Sequence, residues 1–591
     1  MKSFGTFCFV SLLAFCLALG VMGGCKKAAG YSTTIEQITA LIEQRMQENQ
    51  VTGLSIALVD GQDVVWAKGF GYADKENDVK ATTETIYEIG SVSKTITATA
   101  VMQLHEQGLL DIDHALTEYL PEFSIQSPLR SGPTPAGPIT IRTMLTHHSG
   151  IPGDLLNGAF ALELDPDYNE RLLNDLHHEH AYYPPNFIYA YSNSAVSLLG
   201  EVVAKVSGQS FKEYTDRLFE DMGMHHSSFF LNKPSLEENL SQGYFKEQAV
   251  DHFYINIPAA GSILSNVSDM AEYIKMVLAG GQSANGSVLR PETLAEMLTR
   301  QNEGIPLDFS FSQGLMWVLG DPELDYAGRL CWHNGASIVF RSHLEILLDH
   351  QLGVVVLSNS GTAGVVVQEI AQQALKLALK EKTGIEPVEP AGAPYSSQTT
   401  WPQEELEALA AIYVTRGGYD IVKAVPGALE WIGSTGTTQR LVPLENGRFA
   451  SPNSQEFQIE FSEVSERDVM IGHRTGTGLV GERYQPVPLS PVWRDRLGKY
   501  EIFNLDPLDC SRFVPEELHI VSLSIELVER DGMLIIEYTI QGPPGRLVIE
   551  PLGDTLGVIR GLGIDKGGAV QVVTVDGEEQ IQLWGSLYKK S

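Results

Sequence analysis

The sequence predicts an α+β fold: an antiparallel sheet flanked by helices with an inserted helical domain, followed by two small all-β, barrel-like domains. Three observations carry this. Strand-like runs lie near both ends of the first part of the chain, and the region between them is mostly helical. A stretch rich in Pro, Ala, Ser and Thr separates this part from a remainder that is almost all β. At 591 residues the chain is also too long for one hydrophobic core.

Residues 1–24 read as a targeting segment. Lys2 supplies a positive start, and the apolar run Phe7 to Val21 ends in Met22-Gly23-Gly24-Cys25. That run is shorter than the ~20 residues a spanning helix needs, and its small residues suit a peptidase. The Gly-Gly-Cys ending resembles the bacterial lipoprotein signal, with Met22 where Leu is usual. The resemblance implies lipidation at Cys25, a tether over 25–33, and a membrane partner through that anchor. The implied address is the bacterial cell envelope, at the periplasmic face of the outer membrane; plain secretion is the other reading. Of 5 cysteines, Cys8 and Cys16 leave with the signal. Only Cys331 and Cys510 then remain beside Cys25, so no disulfide framework is expected.

Ile35 to Met46 has the apolar spacing of a helix. Two strand-like runs follow, Leu54 to Val59 and Val64 to Ala67, joined across the favourable turn Asp60-Gly61. Mostly helical sequence runs to about residue 280. Strand character returns at Leu330 to Trp332, Leu344 to Leu348 and Val354 to Leu357. An amphipathic helix, Val365 to Lys380, precedes Gly384, a natural stop. These elements form a first domain over 34–384. Residues 385–402, with Pro387, Pro390 and Pro394, are a linker. A break at Pro486 to Pro491 divides the β-rich remainder into domains at 403–488 and 489–591. Each opens with a similar phrase, Leu409 to Tyr419 and Trp493 to Tyr500, which suggests a duplicated barrel.

The formal charge of -33 excludes one class of partner. So acidic a chain repels phosphate backbones, and no nucleic-acid partner is expected.

Chemistry concentrates in three places. Gly90-Ser91-Val92-Ser93-Lys94 opens the helical run Thr95 to Gln107. Ser91 and Lys94, three apart in the first turn, share a face. A serine hydroxyl is a weak nucleophile until a base takes its proton, and a desolvated lysine can do so. Alone, S-x-x-K occurs by chance about twice in such a chain. Tyr191-Ser192-Asn193 precedes a second helical run, Ala195 to Val206. A phenol beside a lysine is cheaply ionised and exchanges protons, and an amide holds a carbonyl or orients the lysine. His333-Asn334-Gly335-Ala336 lies where strand character resumes, and its glycine permits close backbone approach.

In this order the pieces resemble the serine β-lactamase and penicillin-binding-protein superfamily, in particular its β-lactamase-related branch of class C enzymes, esterases and D-aminopeptidases. Two more phrases are similar to that branch: Thr140 to Pro152, reading TIRTMLTHHSGIP, and Pro258-Ala259-Ala260-Gly261-Ser262. The resemblance covers roughly 34–382. It implies Ser91 as acylated nucleophile, Lys94 as base, and Tyr191 as proton shuttle to the leaving group and activator of the deacylating water. It implies that Asn193 contacts Lys94 and the substrate amide, and that the backbone N–H groups of Ser91 and Ala336 form the oxyanion hole. His333 and Gly335 then line the substrate edge. One departure matters: His333 stands where many members have lysine. Histidine is largely neutral at pH 7, which disfavours a substrate carboxylate at that point. The implied reaction is acyl-enzyme hydrolysis of a small or peptide ester or amide, leaning to D-aminopeptidase or esterase specificity. No metal or organic cofactor is implied.

Two alternatives stay open: a penicillin-sensitive D,D-carboxypeptidase on cell-wall peptides, and a non-catalytic envelope-binding lipoprotein. His177-His178-Glu179-His180 lacks zinc-binding spacing. His147-His148 and His225-His226 are expected at the surface or packed in loops. Cys331, two before His333, is expected to be a buried, inert thiol.

Overall fold

The computed structural model describes residues 30–129, 137–155, 157–229, 234–390, 392–504, 522–539 and 545–591. The targeting segment, Cys25 and Cys510 lie outside them.

Helix α1 (Ser32–Glu48) leads into strands β1 (Gly53–Asp60), β2 (Asp63–Asp74) and β3 (Val79–Lys80). The helical insert carries α2 (Ser93–Glu106), α3 (Asn193–Ser207) and α4 (Val267–Leu278). Strands β4 (Val318–Leu319), β5 (Leu330–Ala336), β6 (Arg341–Leu347) and β7 (Leu352–Ser358) follow, and α5 (Gly364–Thr383) closes the domain. The strands form an antiparallel sheet in the order β4-β5-β6-β7-β1-β2-β3, so both ends of the domain meet where β1 pairs with β7.

Burial on both faces explains why β1 is apolar from Ile56 to Val59. Leu54, Ile56 and Leu58 pack toward α1 and α5, whereas Ala57 and Val59 face the helical insert. In α5 the buried residues Val366, Val367, Ile370, Ala371, Ala374, Leu375, Ala378 and Leu379 form one stripe at helical spacing. Each large side chain buried there contributes roughly 1.5–3 kcal/mol. Gly384, at φ 78°, then ends the helix.

Beyond this domain lie two closed eight-stranded barrels, from Ala411–Thr415 to Thr477–Tyr484 and from Gly498–Ile502 to Ser586–Lys590. A short helix precedes each, Gln403–Leu409 and Pro491–Asp495. The repeat is framed differently from the phrases matched in sequence. Leu406 and Trp493 are both buried in these helices. Tyr413 OH donates to Leu409 O at 3.1 Å, as Tyr500 OH donates to Arg496 O at 2.7 Å. Leu406 to Tyr413 is therefore the counterpart of Trp493 to Tyr500. The proline-rich connection also lies against the first barrel: Ala393 donates to Glu456 O and Thr399 to Pro443 O.

Candidate active site

The sheet edge, the start of α2 and the approach to α3 converge on Ser91. Gly90 adopts φ 52°, and a Cβ there would meet Ala336 N at 2.6 Å. A Cβ on Gly335 would meet Ile89 O at 2.0 Å. Both glycines are thus required for the strand to lie against the turn that carries Ser91.

The direction of the Ala336 N–H follows from the ladder. Ser337 N donates to Phe340 O, which makes 337 and 340 a hydrogen-bonded pair. The preceding pair, Ala336 and Arg341, is then non-bonded, so the Ala336 N–H points away from β6 toward Gly90. Strand β4 pairs with Trp332 and Cys331, and among the described residues no strand covers β5 from His333 to Ala336.

Lys94 is fully buried. Its Nζ donates to Ser91 Oγ at 3.0 Å and to Ala260 O at 2.6 Å. The phrase Pro258 to Ser262 therefore supplies the lysine's second partner. Desolvation lowers the ammonium to about 7, against a small opposing pull from the Asp154 carboxylate. Tyr191 OH donates to Ser91 Oγ at 2.8 Å, and Lys94 Nζ stands 4.9 Å from the tyrosine ring centroid. The phenol does not ionise cheaply, contrary to expectation. Burial raises its pKa well above the ordinary value, with the Asp154 carboxylate adding to the shift and the bond to Ser91 opposing it.

The phrase Thr140 to Pro152 positions this tyrosine. Thr140 and Thr143 form a capping box on the short helix Ile141–Leu145. The chain turns at His147, at φ 60°, whose ring packs against Tyr191 with centroids 4.3 Å apart. His147 Nδ1 accepts from Ser192 N at 3.2 Å. His148 Nε2 and Asp308 Oδ2 lie 2.7 Å apart, both buried. Of the two readings for this pair, surface and loop packing, the second describes it.

Asn193 departs from the expected contact with Lys94. Its Nδ2 donates instead to Asp154 Oδ1 at 2.6 Å, because the loop after Pro152 folds under α3. Asp154 is the group the sequence reading missed. Desolvation raises its carboxyl to about 6, with Asn193 and Lys94 opposing and Asp565 adding to the shift. Asp565 belongs to the second barrel, whose 561–568 loop packs against the first domain. Tyr183 OH donates to Gly561 O at 3.1 Å, and a Cβ on Gly567 would meet Tyr182 O at 2.5 Å.

His333 is buried, with Nδ1 2.6 Å from Asn334 O. Desolvation and the neighbouring lysine lower it to about 3, so it is neutral at physiological pH. Cys331 is a free, fully buried thiol, pushed well up by desolvation. The tempting histidines are dispersed: His177 pairs with Ser124 Oγ, His180 Nδ1 lies 2.9 Å from Ser127 O, and His225 Nδ1 2.8 Å from Glu220.

The fold is that of the β-lactamase-like proteins, consistent in broad terms with serine hydrolase chemistry. A family model described as Beta-lactamase matches residues 38–379, and the chain belongs to that family. Among its relatives is a "Beta-lactamase" of Providencia stuartii, 27% identical over 300 residues, covering 49% of this chain and 70% of that protein. "Protein flp" of Staphylococcus aureus is 26% identical over 340 residues, and the chain spans 63% of its length. A solved octameric penicillin-binding protein homologue from Pyrococcus abyssi superposes with a TM-score of 0.51 at 26% identity. That match covers 76% of this chain and 99% of that one. SurE shares the fold, with a TM-score of 0.54 at 22% identity, covering 76% of this chain and 100% of that one.

Proposed function

We propose that the protein is a serine hydrolase acting through an acyl-enzyme on Ser91, with peptide, amide or ester substrates and a lean toward D-aminopeptidase or esterase specificity. The observation that carries the proposal is the buried Lys94, depressed to about 7 and bonded to Ser91 Oγ. Neutral Lys94 takes the Ser91 proton as Oγ attacks the carbonyl carbon. The oxyanion accepts from the N–H groups of Ser91 and Ala336. Tyr191, a neutral phenol bonded to Oγ, gives its proton to the departing group and regains one from the Lys94 ammonium, which returns the lysine to its neutral form. The reverse relay then deprotonates the water that releases the acyl group.

Neutral His333 supplies no cation for a substrate carboxylate beside Ser91, whereas the Asp154 carboxyl, bonded to Asn193, suits a free amine on the acyl portion. Both support the aminopeptidase lean over a carboxypeptidase. A fluorophosphonate probe is expected to add one adduct per folded chain, read by intact mass. D-aminoacyl amides and short esters are expected to turn over faster than β-lactams. An unlabelled folded chain would move the reading to a binding lipoprotein.

The same proposal places the enzyme in the cell envelope through a lipid on Cys25, supported by the Gly23-Gly24-Cys25 ending. Globomycin is expected to block processing of the precursor, and unaffected processing would remove the anchor.

A further inference from the structure

The end of β5 is shaped by a turn that Arg341 holds. Residues 337–340 join β5 to β6, with Ile338 and Val339 at the tip. Two-residue hairpin turns favour residues that accept positive φ, which β-branched residues do not. A hydrogen-bonded pair exchanges two N–H···O bonds, and here one of them is made: Ser337 N donates to Phe340 O at 3.1 Å. The Phe340 N–H goes to Ser337 Oγ instead, at 3.4 Å. Arg341 supplies the missing donor. Its Nη1 donates to Ser337 O and to Phe340 O, each at 2.7 Å, and lies 3.5 Å from Ile338 O.

These carbonyls account for a guanidinium in an otherwise unfavourable place. Among the described residues no acid offsets its burial, and desolvation pushes it down to about 10. Its stem lies along the start of α5, where a Cβ on Gly364 would meet Arg341 Cδ at 3.8 Å. A helix N-terminus does not favour a cation. Arg341 also stands directly opposite Ala336 across the β5–β6 ladder. The next residue, Ser342, donates through Oγ to Ile89 O at 2.7 Å, two residues before Ser91. The first two residues of β6 thus grip both the turn and the segment that carries the serine.

We propose that Arg341 is a positioning residue for the reaction at Ser91: by bonding the carbonyls of the 337–340 turn, it fixes the end of β5 so that the Ala336 N–H points at the substrate's carbonyl oxygen. The inference rests on the acyl-enzyme reading of Ser91 and deepens it. Of the two oxyanion donors, the Ser91 N–H lies inside the turn Gly90–Val92, whereas Ala336 is the last residue of its strand. Its aim therefore depends on what holds the turn that follows. The oxygen gains charge only as the carbonyl becomes tetrahedral, so a misdirected donor is felt in the transition state and not in substrate binding.

Arg341→Met and Arg341→Lys in the full chain test it, with p-nitrophenyl butyrate as a short ester and phenylboronic acid as a tetrahedral mimic. Boron keeps its own bonds and gains one from Ser91 Oγ, the serine proton passes to Lys94, and a boronate oxygen takes the oxyanion's place. Deleting an oxyanion donor costs roughly 10²–10³ in kcat, so misdirecting one in Arg341→Met is expected to cost at least about tenfold. Acylation and deacylation both pass through an oxyanion, so KM is expected to stay within about twofold. The boronate is expected to weaken by the same factor as kcat. Arg341→Lys, which keeps the charge and a donor, is expected to recover part of both losses. Should the methionine variant not fold, the lysine variant carries the test, with matched losses of about threefold or more expected. An unchanged kcat, a loss confined to KM, or a loss of kcat with boronate affinity intact would each overturn the proposal. A parent that neither cleaves the ester nor binds the boronic acid would overturn the Ser91 reading and this inference with it, and fluorophosphonate labelling reads Ser91 separately.

Discussion

Replacing Ser91 by alanine is expected to lower turnover of any cleaved substrate on the order of 10⁶-fold and to abolish fluorophosphonate labelling. The effect is large because the hydroxyl is the group that becomes acylated, and neither Lys94 nor Tyr191 can substitute for it in the same position. What remains is binding and the two backbone N–H groups aimed at the carbonyl oxygen. Stability should hardly move. The substitution removes one half-buried hydroxyl and its bonds to Lys94 and Tyr191, a loss of about 1 kcal/mol. Steady-state rates and a thermal melt check both halves, and a variant keeping a hundredth of its activity would place the nucleophile elsewhere.

Lys94→Met should lower turnover at least ~10³-fold, the span attributed to a positioned general base. It should also erase a limb of the pH profile. The unprotonated amine is the active form, so kcat/KM of the unsubstituted enzyme rises as pH passes through about 7 and then levels. Stability changes in the opposite sense from activity. Unfolded, the lysine keeps its proton up to about pH 10.4, whereas folded it loses it near 7. Between those values the unfolded chain binds more protons, so burial of Lys94 costs most below pH 7 and nothing above 10.4. Methionine removes that cost while leaving Ala260 O without its donor, an offset of about 1–3 kcal/mol. The variant is therefore expected to melt higher than its parent at pH 6, with the gap closing toward pH 10. Melts across that range measure it, and a gap that does not depend on pH would mean Lys94 is not desolvated.

The residues legible in the sequence are those whose chemistry is local. Ser91 and Lys94 share one helical turn, and Tyr191 and Asn193 flank Ser192, the cap of the helix that Asn193 begins. His333 to Ala336 lie on one strand whose alternation puts His333 and Gly335 on the buried side. Strands β1 and β7 were legible for a related reason: both of their faces are buried, so they are largely apolar runs. Other features depend on contacts between distant segments. Asp154 is a lone acid in a loop, and only the fold brings it under Asn193. Asp565 lies 411 positions further on, 565 minus 154, in a barrel loop of no distinctive composition. The high pKa of Tyr191 was missed for the same reason, because burial depends on what packs around the ring.

The uncovered edge of β5 has a consequence for the protein's behaviour at high concentration. Unpaired strand edges recruit other chains, and β-proteins that expose them aggregate or swap strands. Here the outward-facing N–H groups of Asn334 and Ala336 lie beside the Ser91 turn. Barrel segments, among them Thr475 to Gly481 and Leu562 to Ile564, stand with Trp332 of β5 around one recess, and a second folded copy approaching that end of the strand would meet them. The same recess thus limits how neighbouring molecules can zip onto the sheet. Loss of the second barrel's docking loop would be felt first as precipitation, before any change in the chemistry at Ser91.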